Sequence, residues 1–332
     1  MTETTVGSIC TGYGGLELAL NLAGINHQLA WCSEIDEHAS KVIARRFPHA
    51  PNLGDINDAD PEPVDVITAG FPCQDISVAG RQAGIHGQHS GLWWRIRDVI
   101  GDLRPRYIIL ENVAAILTNG GPAVVASLTG LGYDSRWTIV RASDTGAPHQ
   151  RARWFCVAWN TDGSGLGGPR PGRATTEPHS TTTDADRAGR LQQIGVTGSD
   201  TTTPTHPNKS TTADADSGDG PRRAQTPGRE TQQRTTTGRT SGTVDFGKYT
   251  EAVHRWEQLT RPAPDPTHNE KLNPQFVEWM MGLPDGWVTD LRMMDTDPRP
   301  NHLSRMQMLR ILGRGVVPQQ AALALQQLDT TP

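Results

Sequence analysis

A cysteine placed directly after an apolar strand is the group in this sequence best suited to nucleophilic chemistry. Cys73 lies in GFPCQDIS, which begins at Gly70, the last residue of the apolar run VDVITAG. Pro72 restricts the backbone before the thiol, and open α/β sheets build their sites at the carboxyl ends of strands. A thiol held there can become a thiolate nucleophile. The alternative, a small buried side chain, fits the other cysteines better: Cys10, Cys32 and Cys156.

The next apolar strand, YIILENV, ends in side chains that could join Cys73 in one site. It brings Glu111 and Asn112 to the carboxyl edge of the expected sheet. A carboxyl group that burial keeps protonated can donate a proton to a substrate. Two strand ends that converge in this way indicate a catalytic site more strongly than either strand does alone.

A glycine-containing turn near the amino terminus predicts a ligand site of another kind. The segment SICTGYGGLELAL, from Ser8, places Gly12, Gly14 and Gly15 between a strand and a helix. Glycine there lets the backbone approach a ligand at the amino terminus of the helix. A plain structural connection is the alternative.

Acidic residues after the following strands support the same ligand site. The second strand ends in Glu34 and Asp36, where nucleotide-binding folds place an acid that binds ribose hydroxyls. Asp55, in LGDI, could accept a hydrogen bond from an adenine amino group. A solvated strand end or surface turn is the alternative for each acid.

In chain order, these segments resemble the successive motifs of cytosine-5 DNA methyltransferases. The order is CTGYGG, SEID, GDI, GFPCQDIS, the helix GLWWRI, ENV, HQRARWF and a late LGRGVVPQQ. The resemblance spans about residues 1–160 and 270–328. The set Phe-Pro-Cys-Gln, Glu-Asn-Val and Gln-Arg-x-Arg in that order is highly specific.

The resemblance implies an enzyme that transfers a methyl group from S-adenosylmethionine to carbon 5 of a cytosine in duplex DNA. Cys73 would add to carbon 6 of the base, and Glu111 would donate to ring nitrogen 3. Arg151 and Arg153 of HQRARWF would contact the base and its surroundings, and Arg153 would bind the base carbonyl. Without the resemblance, these arginines would be interpreted as solvated charges at a strand edge. Because the target base is stacked in the duplex, it must be flipped out. The loop over residues 77–90 resembles the segment that closes over it; a flexible surface loop is the alternative.

The same resemblance implies two further sets of site residues. The cofactor is expected to contact Gly12, Tyr13, Gly14, Gly15, Leu16, Glu34, Ile35, Asp55, Ile56, Gly70, Pro72, Leu92 and Val316. The DNA is expected to contact Gln74, Ser77, Arg81, Gln82, Asn112 and Val113.

Two positions depart from the family pattern. Where the family has Asp-Leu-Phe before its first glycine, this chain has Ser-Ile-Cys, so Cys10 stands where a phenylalanine would lie against the adenine ring. Tyr13 or Trp31 could supply an aromatic face instead. In the last motif, Arg314 replaces the asparagine of the family's Gly-Asn-x-Val.

Short apolar runs alternate with amphipathic stretches over residues 4–159 and predict an α/β fold. The sheet is expected to be Rossmann-like, doubly wound and mostly parallel, as in methyltransferases that use S-adenosylmethionine. The expected strands cover residues 6–10, 29–33, 64–69, 107–110, 138–140 and 154–159, and the expected helices cover 16–23, 37–47 and 92–103. Further helices are expected in KYTEAVHRWEQL, in LNPQFVEWMMGLP and within residues 309–328.

The composition changes abruptly after residue 160. From Asn160 to Asp245 there is no Phe, Trp or Tyr, so this stretch cannot bury enough apolar area to offset its chain entropy. We therefore predict three regions. Residues 1–160 form a cofactor-binding catalytic domain, and residues 271–332 form a C-terminal segment that completes it. Residues 161–270 form a small, poorly ordered target-recognition region, whose sequence is low in complexity over 161–245. Either the low-complexity stretch folds on DNA, or residues 249–261 and the HQRARWF flank read most of the bases.

Net charge, cysteine spacing and apolar run length limit which partners, metal sites and cellular location the protein can be expected to have. The net charge is −5, so any DNA-binding surface must be local. The cysteines form no CxxC pair, which argues against a zinc site or a disulfide framework. No run of about 18 apolar residues indicates a membrane span. We expect the protein to lie in the cytoplasm of a bacterial cell or phage-infected host. The resemblance implies that it is a monomer and that it serves restriction-modification or protective methylation as an orphan enzyme.

Two other interpretations each fit part of the sequence. A non-catalytic DNA-binding homologue of the same fold is suggested by the two departures, but the joint retention of Cys73, Glu111, Arg151 and Arg153 argues against it. A nicotinamide-dependent oxidoreductase would rest only on the glycine turn and Glu34, and it gives Cys73 and Glu111 no joint role.

Overall fold

The computed structural model of the protein describes residues 3–72, 91–118, 120–160, 244–290 and 303–328. The expected nucleophile and four expected DNA contacts lie outside the described residues: Cys73, Gln74, Ser77, Arg81 and Gln82. The same holds for residues 77–90, the expected closing loop, and for the low-complexity stretch up to residue 243.

Six strands form one sheet in the order β2-β1-β3-β4-β6-β5. Their bounds are β1 Thr4–Ile9, β2 His27–Ser33, β3 Val66–Gly70, β4 Tyr107–Val113, β5 Tyr133–Arg141 and β6 Ala152–Asn160. Strands β1 to β4 run parallel to one another, whereas β6 is antiparallel to both β4 and β5. The predicted α/β fold with a mostly parallel sheet is confirmed.

Continuous apolar runs explain why the central strands form. Residues 66–69 of β3 and 108–112 of β4 are all buried, as expected for parallel strands covered on both faces. In the edge strand β5 only Tyr133 and Val140 are buried. The carboxyl ends of β3 and β4 therefore emerge side by side from the buried centre of the sheet.

Helices cover the sheet and present their amino termini at its carboxyl edge. The first four are α1 Gly15–Leu22, α2 Glu37–Arg46, α3 Leu92–Leu103 and α4 Gly121–Gly130. Asp36 caps α2 because its carboxylate accepts hydrogen bonds from the backbone N–H groups of His38 and Ala39, at 3.0 and 3.1 Å. Helix α3 has the predicted bounds, and α1 and α2 end within one residue of theirs.

Residues 245–328 belong to the same compact unit as residues 3–160. Their elements are α5 Thr250–Leu259, the two-residue strands β7 Thr267–His268 and β8 Lys271–Leu272, α6 Pro274–Met280, α7 Arg305–Arg314 and α8 Pro318–Gln327. Helix α8 packs against α1 and β5, where Ala321 and Leu325 join the cluster that includes Leu16 and Leu20. The domain boundaries near residues 160 and 270 stay a prediction.

Tyr13, in the glycine turn, binds the C-terminal segment through hydrogen bonds. Its side chain is fully buried, and its hydroxyl donates a hydrogen bond to the Val316 carbonyl at 2.6 Å. The Tyr13 carbonyl in turn accepts from the indole N–H of Trp287 at 2.7 Å. A side-chain carbon added to Gly315 would overlap the Tyr13 ring. The segment can therefore dock only because residue 315 is a glycine.

We expect Gly315→Ala to lower the free energy of unfolding by about 3 kcal/mol, because the added methyl group overlaps a buried ring that has no room to move. Gly313→Ala is the matched control, since nothing lies within 4 Å of a side-chain carbon at Gly313. That residue lies in α7, where alanine is favoured over glycine by about 0.5–1 kcal/mol. Urea denaturation of the two variants measures the difference, and equal stabilities would contradict the docking described here.

Candidate active site

The centre of the candidate site is an ion pair between two neighbouring strands. Glu111 lies near the end of β4, and Arg153 lies near the start of the antiparallel strand β6. The Arg153 Nε atom is 2.9 Å from Glu111 Oε1, and the two side chains are only 16% and 10% exposed. The arginine thus holds the carboxyl group at the carboxyl edge of the sheet.

Burial changes the acidity of the Glu111 carboxyl group. It raises the pKa of Glu111 to about 7, although the charges of Arg153 and Arg151 act to lower that pKa. Near neutral pH a substantial fraction of this carboxyl group is therefore protonated. A group of this kind can donate a proton to a substrate and take it back within one catalytic cycle.

Asn112 links Glu111 to the backbone that leads to Cys73. Its Nδ2 atom donates to the Phe71 carbonyl at 2.8 Å, and its Oδ1 atom accepts from the Val113 N–H at 2.8 Å. Gly70 is the register partner of Glu111, and a side-chain carbon on Gly70 would lie 3.4 Å from Glu111 Oε2. The structure therefore brings Gly70, Phe71 and Glu111 together, whereas Cys73 lies outside the described residues.

Arg151 connects the site to the C-terminal segment instead of pointing away from the protein as a strand-edge charge. Its guanidinium donates to the Gly313 carbonyl at 3.2 and 3.3 Å and to the Gly315 carbonyl at 2.5 Å. Its backbone φ of 26° is unusual for a residue with a side chain. Gln320, fully buried, donates from Nε2 to the carbonyls of Arg151 and Val140 at 2.7 and 2.6 Å.

A cavity of about 370 Å³ lies beside the first two strands. Five residues that the family resemblance assigned to the cofactor line it: Glu34, Ile35, Asp55, Ile56 and Leu92. The Ile35 side chain is 76% exposed, although isoleucine is normally buried. The cavity therefore combines an exposed apolar face with two carboxylates.

The carboxylates of the cavity also organise its walls. Glu34 accepts hydrogen bonds from the backbone N–H groups of Gly12 and Asp36, each at 2.8 Å. Asp55 accepts from the backbone N–H and the side-chain Nδ2 of Asn57 through one oxygen, each at 2.9 Å. Glu34 thereby ties the glycine turn to the end of β2.

The remaining residues assigned to the cofactor do not line this cavity: Gly12, Tyr13, Gly14, Gly15, Leu16, Gly70, Pro72 and Val316. Neither Tyr13 nor Trp31 offers the aromatic face expected in place of a phenylalanine at position 10, because both rings are buried. At Gly15 the close neighbour is the chain itself, since an added side-chain carbon would lie 2.7 Å from the Val316 carbonyl oxygen.

Sequence analysis missed several residues that line the cavity: Ser33, Asn57, Gly91 and Arg95. Cys10, interpreted from the sequence as a small buried side chain and as a departure from the family pattern, is only half-buried and also lines the cavity. Arg95 donates from Nε to the Ile56 carbonyl and from Nη2 to the Ala59 carbonyl, both at 2.9 Å. The sequence signal for Arg95 is its charge inside the otherwise apolar segment GLWWRI.

Two negative findings apply to the described part of the chain. Its residues contain no group of three His, Cys, Asp or Glu side chains that could hold a metal ion. Within those same ranges, no helix has the length and apolar character needed to cross a membrane.

Comparison with known proteins identifies relatives of the chain. The model of the C-5 cytosine-specific DNA methylase family matches residues 4–324. The type II methyltransferase M.CviJI of a Paramecium bursaria Chlorella virus is 37% identical over 158 residues, which are 44% of this chain and 43% of the relative. The type II methyltransferase M2.BsuMI of Bacillus subtilis is 36% identical over 160 residues, 46% of this chain and 41% of the relative.

A solved structure has a fold similar to that of the described residues. The Spodoptera frugiperda DNMT2 structure aligns with a TM-score of 0.55 and 15% identity, covering 98% of this chain and 99% of that one. The alignments to the two curated relatives span less than half of each relative's length. Because the family model extends over nearly all of the sequence, the chain belongs to the C-5 cytosine-specific DNA methylase family.

Proposed function

We propose that the chain is a DNA (cytosine-5-)-methyltransferase that uses S-adenosylmethionine. The observation that carries the proposal is the buried Glu111 carboxyl group, which Arg153 holds at 2.9 Å beside the strand that leads to Cys73. A carboxyl group with a raised pKa, next to the chain that carries a thiol, suits covalent activation of a pyrimidine ring.

In the proposed reaction the Cys73 thiolate forms a bond to carbon 6 of a flipped cytosine. Glu111 gives its proton to ring nitrogen 3, so the electron pair of the carbon 5–carbon 6 double bond becomes available at carbon 5. S-adenosylmethionine, when bound, would supply the electrophilic methyl group that this carbon accepts, with S-adenosylhomocysteine as the leaving group. Loss of the carbon 5 proton to solvent re-forms the double bond and expels the Cys73 thiolate, and nitrogen 3 returns its proton to Glu111.

The other residues of the site are proposed to hold these groups in place. Arg153 orients the carboxyl group of Glu111 and would bind the base carbonyl through a remaining donor, while Arg151 fixes the C-terminal segment beside them. Asn112 holds the Phe71 carbonyl at 2.8 Å, which restrains the approach to Cys73 from β3. Positioning of this kind contributes as much to catalysis as the proton transfer itself.

The residues around the cavity fit the proposed cofactor. A volume of about 370 Å³ lies within the usual range for small-molecule sites. Glu34 and Asp55 can accept hydrogen bonds from ribose hydroxyls and from an amino group. The exposed Ile35 can pack against the flat face of a base, a contact that would remove its side chain from water.

The proposed partner is double-stranded DNA, from which the target cytosine is flipped into the site. Asn112 and Val113 are the described residues proposed to lie near it, together with Gln74, Ser77, Arg81 and Gln82. We propose that the protein acts as a monomer in the cytoplasm of a bacterial cell or phage-infected host, in restriction-modification or as an orphan enzyme. Residues 161–270 are the proposed target-recognition region.

Trapping on duplex DNA of mixed sequence that carries 5-fluorocytosine tests the proposal. Fluorine at carbon 5 cannot leave as a proton does, so an active enzyme supplied with S-adenosylmethionine should stall as a covalent complex that survives denaturing electrophoresis. Peptide mapping should locate the adduct at Cys73. DNA binding without an adduct would instead favour the non-catalytic DNA-binding homologue.

We expect Ile35→Ser to raise the Kd for S-adenosylmethionine about tenfold, because the bound cofactor would lose an apolar contact worth roughly 1–1.5 kcal/mol. The matched control is Leu22→Ser, which changes another exposed apolar side chain, 53% exposed in the last turn of α1 and not part of the cavity wall. Isothermal titration calorimetry measures both. An unchanged Kd for Ile35→Ser would exclude this cavity as the cofactor site.

A further inference from the structure

A protein of net charge −5 needs a local group of cations to bind DNA, because phosphate contacts supply most of the sequence-independent affinity. A phosphate contact near the candidate site therefore requires a cationic side chain that is exposed and is not engaged in an ion pair. Arg151 and Arg153 do not qualify, because Arg151 donates to the carbonyls of Gly313 and Gly315 and Arg153 is ion-paired with Glu111.

Arg314 lies at the rim of the candidate site. The carbonyl groups of both its neighbours, Gly313 and Gly315, accept hydrogen bonds from the Arg151 guanidinium. Arg151 is close enough to Glu111 for their charges to interact. The backbone of Arg314 is thus held next to Arg151, which lies two residues before Arg153 in the chain.

The side chain of Arg314 is exposed at the end of α7. No ion pair involves it in the ranges that the structure describes. Arg310 lies four residues earlier and hence on the same face of the helix. Arg310 is 55% exposed and pairs at 3.4 Å with Asp36. Among the described residues, Arg314 is therefore the cation of this face that has no ion pair and is available to a ligand.

We propose that Arg314 contacts the phosphate backbone of duplex DNA beside the flipped cytosine. This inference rests on the proposed methyl transfer to DNA, and it adds a phosphate-binding position that the catalytic groups do not provide. A nucleotide whose base enters the site must carry its own two phosphates to the rim, and an arginine there can bind one of them through its paired donors. Such a contact positions the DNA and reads no sequence.

A purely structural role is the competing explanation, because a cation in the last turn of a helix interacts favourably with the helix dipole. The two roles differ in their dependence on salt. A stabilising charge at a helix end changes the thermal stability of the protein, whereas a phosphate contact changes the number of ions released when DNA binds.

The experiment measures binding of a labelled duplex of mixed sequence by fluorescence anisotropy over a series of salt concentrations. For Arg314→Gln we expect the slope of log K against log salt concentration to become shallower by about 0.9, with affinity about eightfold lower at 0.1 M salt. Arg314→Lys, which keeps the charge, should keep the slope of the unaltered protein. Arg106→Gln is the matched control, since Arg106 is exposed and precedes β4 at the opposite edge of the sheet.

The outcomes separate the inference from the proposed function. If the unaltered protein binds the duplex and Arg314→Gln shows the same salt slope, the phosphate contact is overturned while methyl transfer stands. A loss of slope in Arg106→Gln as large as that in Arg314→Gln would also overturn it, as would a loss in Arg314→Lys. If the unaltered protein binds no duplex at any salt concentration, the proposed function itself fails.

Discussion

Replacing Glu111 with glutamine is expected to lower kcat for methyl transfer about a thousandfold, within the range of 10²–10⁴ typical for loss of a positioned proton donor. Glutamine has nearly the same shape and can still accept a hydrogen bond from Arg153, but it carries no acidic proton for ring nitrogen 3. The measurement is incorporation of labelled methyl groups into duplex DNA at saturating cofactor and DNA.

The control for this variant is Glu17→Gln. Glu17 is also a buried glutamate, 1% exposed, and it accepts a 2.6 Å hydrogen bond from Thr68 Oγ1. It neither lines the cavity nor pairs with Arg153. We expect the control to keep most of the activity. Equal losses in the two variants would show that a buried carboxyl group matters here only for folding.

The pH profile gives the same experiment a second readout. Since burial raises the pKa of Glu111 to about 7, the protonated form that donates to the base is populated below that pH and disappears above it. In the unaltered enzyme kcat/KM should therefore fall as the pH rises through about 7. The Glu111→Gln variant should not show this fall. Formation of the Cys73 thiolate acts in the opposite direction and shapes the acidic limb.

Cys73→Ser is expected to reduce methyl transfer on the order of 10⁴-fold or more while leaving DNA binding largely intact, because a hydroxyl group is a far weaker nucleophile than a thiolate. No other thiol is suited to replace it in β2 or β6. Burial raises the pKa of both Cys32 and Cys156 to about 12, so neither forms a thiolate near neutral pH.

The 5-fluorocytosine adduct measures this second prediction directly. The Cys73→Ser variant should give no adduct, whereas the control Cys32→Ala, which removes a buried thiol, should give as much as the unaltered protein. An adduct of normal yield in Cys73→Ser would remove Cys73 from the mechanism and require another nucleophile.

The sequence predicted those elements whose apolar pattern is continuous or strongly amphipathic. Helix α3 has its predicted bounds because its buried face, from Trp93 to Leu103, recurs at helical spacing. Strand β5 was predicted over residues 138–140 but covers Tyr133–Arg141. An edge strand buries few of its side chains, and the three polar residues at positions 134–136 interrupt the apolar pattern between Tyr133 and Trp137.

The candidate site was predictable where a motif lies within one strand and not where distant segments meet. Glu111 and Asn112 could be placed because YIILENV is both a strand and a motif. The hydrogen bonds from Arg151 to Gly313 and Gly315 span more than 160 residues, and nothing in HQRARWF indicates them. Tyr13 was expected to face a ligand, but its ring is buried, since a tyrosine among glycines can face either a ligand or the core.

The hydrogen bond between Tyr13 and Val316 can form only late in the synthesis of the protein. Its two ends are 303 positions apart in the chain, and ribosomes add about 5–20 residues per second, so roughly 15–60 s pass between them. During that interval the newly made amino-terminal strands lack both the acceptor for the Tyr13 hydroxyl and the carbonyl groups that anchor Arg151. Until residues 313–316 have been made, therefore, neither the Tyr13 hydroxyl nor the Arg151 guanidinium can form the hydrogen bonds that it has in the folded chain.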